Sequence, residues 1–247
     1  MSWGHFLDVP DLQFSAQIVH SLLLRLVCEQ PEDELWFCIN EQLFKFTFVD
    51  FERITGLRSR GPTPAFSDDE GNGMLLDDYF GGATEISFRT LTEKMRSIKT
   101  KKRGGRGDAL KLACAFYVLC VLLPRNKKTN INSQYLKLAD EWDKFQTYPW
   151  AKESYTLMVS HIKTLMVGQA EKFKQSKAAN PNYKNAKFTL HGLPHVLQVR
   201  NQVPPCRFLL CYIPTQISPT EDLLREKEVI KYIEIYRVIK HCCHYIK

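Results

Sequence analysis

LWFCINEQLFKFTFVDFERITGL, Leu35 to Leu57, decides how the rest of the chain is read. Two apolar runs, Leu35–Ile39 and Leu43–Phe46, flank Asn40-Glu41-Gln42, which spells a β-hairpin with a short turn. The second strand leads straight into a helix marked at both ends. Thr47 followed by Asp50 fits a capping box, and Phe46 with Phe51 fits the hydrophobic staple around it. Gly56 stands where a left-handed residue closes a helix, with Leu57 placed to touch Phe51. Trp36, Phe37, Phe44, Phe46, Phe48 and Phe51 concentrate more aromatic area here than any other stretch offers. This is a packing nucleus; none of its residues reads as a nucleophile or a metal ligand.

Around it, 247 residues suffice for one large core or two small ones. A composition 44% hydrophobic and 25% charged is that of an ordinary soluble globular protein. The net charge of +7, from 34 basic against 27 acidic residues, permits an acidic partner such as nucleic acid without requiring one. Among the eight cysteines, Cys28, Cys38, Cys114 and Cys120 lie inside apolar runs. Thiols so placed pack as small hydrophobes, which points to a reduced, intracellular chain. MSWGHFLDVPDLQ has neither a basic n-region nor an apolar h-region, so no secretory leader is expected. The longest apolar run, Leu112–Leu123, is too short to span a bilayer. The nucleus is the expected compartment, with the cytoplasm as the alternative.

In order, residues 1–11 read as a leader, 12–199 as a helical domain, and 200–247 as a divergent tail. From Ser15 to Cys28, Phe14, Ile18, Leu22 and Leu26 recur every four residues and predict an amphipathic helix. RSRGPTPAFSDDEGNG, after Leu57, is a surface loop, and Met74–Phe80 a short helical turn before Gly81-Gly82. Phe88, Leu91, Met95 and Ile98 space a further helix, followed by a Lys- and Gly-rich segment to Gly107. Asp108 is placed to cap a helix over Ala109–Leu123 that is apolar nearly all round and therefore central. Ser133–Phe145 reads as one amphipathic helix with Tyr135, Leu138, Trp142 and Phe145 inward and Asp140, Glu141 and Asp143 outward. Another helix runs from Trp150 to about Val167, after which 168–187 reads as an exposed connection. Pro194 suits the first turn of a short helix within Leu190–Val199. In the tail, CRFLLCYI suits a strand, and Ser218-Pro219-Thr220-Glu221 opens a C-terminal helix over about 219–240.

The fold class is therefore mainly α: a compact multi-helix domain of about six or seven helices around helix 109–123, with one small β-hairpin at about 35–46.

The succession LWFCIN, FKFTFVDFERITGL, YFGG, KLACAFYVLCVLLP, LADEWDKFQTYPWAKESYTLM and FTLHGLPHVLQV resembles a plant-specific domain of unknown function. In that family the domain typically precedes a protease domain of the ubiquitin-like-protein-specific (Ulp, SUMO protease) type, in proteins often encoded by Mutator-like transposable elements. The resemblance covers about residues 14–199, and its most specific pieces are the FERITGL turn and Tyr148-Pro149-Trp150. It implies no catalytic residue within the domain. Family members continue after LQV with a tryptophan and acidic residues, whereas Arg200-Asn201-Gln202 follows here.

Three constellations carry chemistry. A cysteine protease needs a histidine that deprotonates the thiol and an acid that orients it. Cys114 and Cys120 sit in an apolar helix that silences thiols, and no Gln-rich approach to a Cys-Gly is present near the C-terminus. Cys206, Cys211 and His241-Cys242-Cys243-His244 lack the paired knuckles of a zinc site. Lys99, Lys101, Lys102, Arg103 and Arg106, interleaved with glycine, are the strongest interaction feature: flexible cations that follow a phosphate chain or fill the acidic groove of an import receptor. Those glycines do not form a Walker A loop. The expectation is thus a non-catalytic interaction module with a nucleic-acid or protein partner, without cofactor, metal, membrane or small-molecule substrate. The alternative is the accessory N-terminal part of a Ulp-type protease.

Overall fold

A computed structural model describes residues 15–57, 59–61, 73–83, 85–100, 106–125, 130–181 and 189–200. The leader and the tail, including CRFLLCYI and the C-terminal helix, lie outside the described residues. The architecture is mainly helical with small antiparallel β-pairs, in two compact units.

One unit holds the described residues up to Ser59 and those from Trp150 onward. Helix α1, Ala16–Leu23, is capped by Ser15, whose hydroxyl accepts from Ile18 N. It stops well short of Cys28, because residues 25–27 turn to join the sheet: Cys38 N donates to Arg25 O and Val27 N to Trp36 O, each at 2.9 Å. Strands β1 (Leu35–Ile39) and β2 (Gln42–Phe46) pair antiparallel, with Ile39 opposite Gln42. Asn40 and Glu41 both take positive φ, the two-residue turn whose twist suits adjoining strands. Helix α2, Phe48–Thr55, carries the expected capping box between Thr47 and Asp50, and Gly56 closes it in the left-handed conformation.

Two more helices complete this unit: α8, Trp150–Ala179, and α9, His195–Arg200. Both pack on α2, and α9 also packs on α1. Tyr155 of α8 gathers the nucleus, its ring lying 5.3 Å from Phe48 and 5.5 Å from Phe51 between centroids. Its hydroxyl donates to Asp33 O at 2.5 Å. The expected exposed connection over 168–187 is largely exposed where it is described but is helical over its first part, because α8 continues to Ala179; residues 182–187 lie outside the described residues. The polar, lysine-rich stretch reads as a connection, yet lysine, glutamine and alanine are good helix formers that extend a docked helix.

The second unit runs from Arg60 to Pro149. Its elements are α3 (Met74–Phe80), β3 (Glu85–Ile86), α4 (Phe88–Thr100), α5 (Arg106–Tyr117), β4 (Ile131–Asn132), α6 (Gln134–Asp140) and α7 (Trp142–Thr147). Helix α5 widens into a π-turn over Val118–Leu122, buried at Val118, Leu119, Cys120 and Leu122. The all-round apolar face is therefore buried as the sequence implies, with Leu112, Ala115, Val118 and Leu122 fully enclosed. The rings of Phe88 and Phe116 lie 6.4 Å apart, so the start of α4 meets the end of α5 and the pair is antiparallel. Strands β3 and β4 pair through Ile86 and Ile131. Nine α-helices and one π-turn stand among the described residues, more than six or seven. One reason is that Ser133–Phe145 is not continuous: it breaks at Glu141 into α6 and α7.

Candidate functional site

Helix α5 opens at Arg106, so Asp108 stands in its first turn rather than at its cap, where its charge still complements the helix dipole. Lys99 is the penultimate residue of α4 and Arg106 the first of α5, which places both at one end of the antiparallel pair. Lys101, Lys102 and Arg103 lie outside the described residues, as do Lys127 and Lys128.

Beside the start of α5 the structure builds a polar cluster that the sequence did not reveal. The sequence pattern puts Asp140 on an outward face; its side chain is only 11% exposed. Its Oδ2 accepts from Leu75 N at 3.0 Å, capping α3, which has no side-chain cap of its own. Gly73, at φ +61°, permits the approach, since a Cβ there would lie 2.7 Å from that oxygen. Lys111 donates to the Asp140 carbonyl at 3.0 Å, and its Nζ lies 4.0 Å from Oδ1. The ammonium thus closes the last turn of α6 and explains the break at Glu141.

Burial raises the Asp140 pKa, with Asp108 and Asp78 adding to the rise against the Leu75 hydrogen bond and the Lys111 charge. Tyr79, hydrogen-bonded to Asp108, is also raised, chiefly by burial and then by Asp108 and Asp78. The chemistry of this cluster is helix capping.

The sign of the Asp140 shift yields a prediction. A carboxyl with a raised folded pKa stabilises the fold below the unfolded value of about 3.9, and that contribution is lost as pH rises through the folded pKa. Asp140→Asn retains an acceptor for Leu75 N without the charge. The variant should therefore gain stability on the native chain between about pH 4 and 7, read by urea unfolding. A native chain that gains instead would contradict the assignment. Asp140→Ala removes the cap and should cost about 1–2 kcal/mol at either pH.

Thiols and imidazoles occupy unlike settings. Cys120 is buried and its pKa is pushed up by desolvation, whereas Cys28 and Cys38 are exposed, contrary to the packing expected of them. Cys38 is exposed because the strand alternation turns it to the outer face. His161 donates to Thr189 O at 2.9 Å and stacks on His191 at 3.6 Å, tying the segment before α9 to α8. Burial lowers His195 to about 4. Among the described residues no group of three or more His, Cys, Asp or Glu could hold a metal ion. Cys206, Cys211 and residues 241–244 lie outside them. No helix among the described residues is long and apolar enough to cross a membrane.

The family model for the domain of unknown function DUF1985 matches residues 23–161, more than half of the chain. The chain belongs to the DUF1985 family. The DUF1985 match takes in the hairpin, the Tyr155 nucleus, the Asp140 cluster and the basic segment from Lys99 to Arg106. No curated protein and no solved structure matches the chain.

Proposed function

We propose that this DUF1985 chain is a non-catalytic interaction module of plant transposon-related origin that acts in the nucleus by contacting nucleic acid. The observation that carries the reading is the cation run: Lys99 is the penultimate residue of α4, Arg106 begins α5, and Lys101, Lys102 and Arg103 lie between them in sequence, within a chain of net charge +7. In the sequence Gly104 and Gly105 separate Arg103 from Arg106.

Replacing Lys101, Lys102, Arg103 and Arg106 together with alanine tests this. Affinity for a short duplex should fall, and the slope of log K against log salt should flatten by about 3–4, near 0.9 for each phosphate no longer neutralised. Unchanged affinity and slope would remove the reading. Binding retained by a protein partner alone would move the contact to protein.

A second reading, the accessory part of a Ulp-type cysteine protease, rests on the resemblance carried by FERITGL and Tyr148-Pro149-Trp150. Incubating the purified chain with a SUMO fusion separates catalysis from contact: cleavage abolished by a thiol reagent would overturn the non-catalytic assignment.

A further inference from the structure

Among the described residues the hairpin leaves one sheet edge open. In an antiparallel pair, residues alternate between bonding across the pair and directing N–H and C=O outward. Trp36 and Cys38 direct theirs outward from β1, because Val27 N reaches Trp36 O and Cys38 N reaches Arg25 O. Their cross-strand partners, Lys45 and Leu43, must therefore direct theirs outward from β2. No backbone hydrogen bond is made by either residue on that side among the described residues. Leu43 is 50% exposed, and its neighbours Gln42 and Lys45 are exposed too. Lys45 does not shield the edge with its ammonium, which leans back over the Trp36 ring at 4.2 Å. An edge of this kind is a template for another strand.

We propose that the occupant is a second copy of this chain, joined antiparallel through β2 with Leu43 facing the partner's Leu43. This register is chosen by charge. Lys45 in β2 and Glu41 in the turn just before it lie two residues to either side of Leu43, so each Lys45, on swinging off the Trp36 ring, comes within reach of the partner's Glu41. The apolar pair at the centre is thus bracketed by opposite charges at both ends. Parallel pairing would set Lys45 against Lys45 and Glu41 against Glu41, and centring on Phe44 would leave Lys45 opposite leucine. The outward donors and acceptors of Leu43 and Lys45 are satisfied by the added strand. The joined surface is small, so association is weak and concentration-dependent.

Sedimentation velocity of the intact chain over a hundredfold concentration range tests the proposal. Weight-average mass should climb from the monomer value toward twice it. Leu43→Pro removes an outward donor that the hairpin itself does not use, and should hold the mass at the monomer value. Glu41→Lys and Lys45→Glu, each alone, should weaken association at least fivefold, and the double exchange should restore it. The exchange keeps the proposal testable if the proline variant misfolds, which far-ultraviolet circular dichroism reports. A monomeric native chain at every concentration would overturn the proposal. So would association indifferent to the proline in a folded variant, or a double exchange no better than the single ones. Capture of an extended peptide by a chain that stays monomeric would assign the edge to a different partner and overturn it equally.

Discussion

Phe51→Ala should cost about 3–5 kcal/mol, the range for truncating a buried phenylalanine. Phe51 is 0% exposed and meets the Tyr155 ring edge-on at 5.5 Å. It stands at the staple position of α2, so its ring binds the helix to the strand before it and to α8 across from it. Alanine would leave a void against the Tyr155 ring, which Phe46 and Phe48 also meet, in a close-packed interior that relaxes only partly. Part of the loss, about 0.5–1.5 kcal/mol, is the aromatic interaction itself. Urea unfolding followed by circular dichroism should show the midpoint fall with little change in slope. A loss below about 1 kcal/mol would mean that the nucleus lies elsewhere.

The second large effect is expected at Gly192. The segment leading into α9 crosses α8 so closely that a Cβ at this position would lie 2.7 Å from Met158 Cβ and 3.0 Å from its Cα and N. Backbone atoms of a helix cannot step aside, unlike the end of a flexible side chain. Gly192 also holds φ at +72°, which costs an L-residue about 1–2 kcal/mol. Adding the strain of overpacking, about 1–3 kcal/mol, Gly192→Ala should destabilise by about 2–5 kcal/mol. The damage should be local at first: amides of α9, and of α1 which α9 meets through Gln198 and Ser15, should exchange faster than those of α2. Uniform acceleration would show that α9 is not a separable layer of its unit.

The hairpin and α2 were legible because every signal there is local. Turn residues, cap, staple and terminal glycine all lie within two dozen positions and agree with one another. What the sequence hid depends on partners remote along the chain. α1 ends early because residues 25–27 find a strand that begins at Leu35, and no periodicity reports that competition. Asp140 looks like one more polar residue on an amphipathic face. Only its encounter with Leu75, sixty-five positions away, makes it a cap. Helix α8 outruns its apolar stripe, so a reading that follows burial stops near Val167 although the backbone continues. The basic segment was visible as charge alone, while the open edge of β2 follows from register, which only strand pairing reveals.

Hydrogen exchange of the intact chain with and without a short duplex is the most direct test of contact by the basic segment. Peptides covering residues 96–108 should gain protection when nucleic acid is added, and lose that gain as salt is raised from about 50 to 200 mM. Peptides from α2 and the Tyr155 region of α8 should exchange alike in both states. Protection that appears elsewhere and spares 96–108, or a gain that salt does not diminish, would contradict the account.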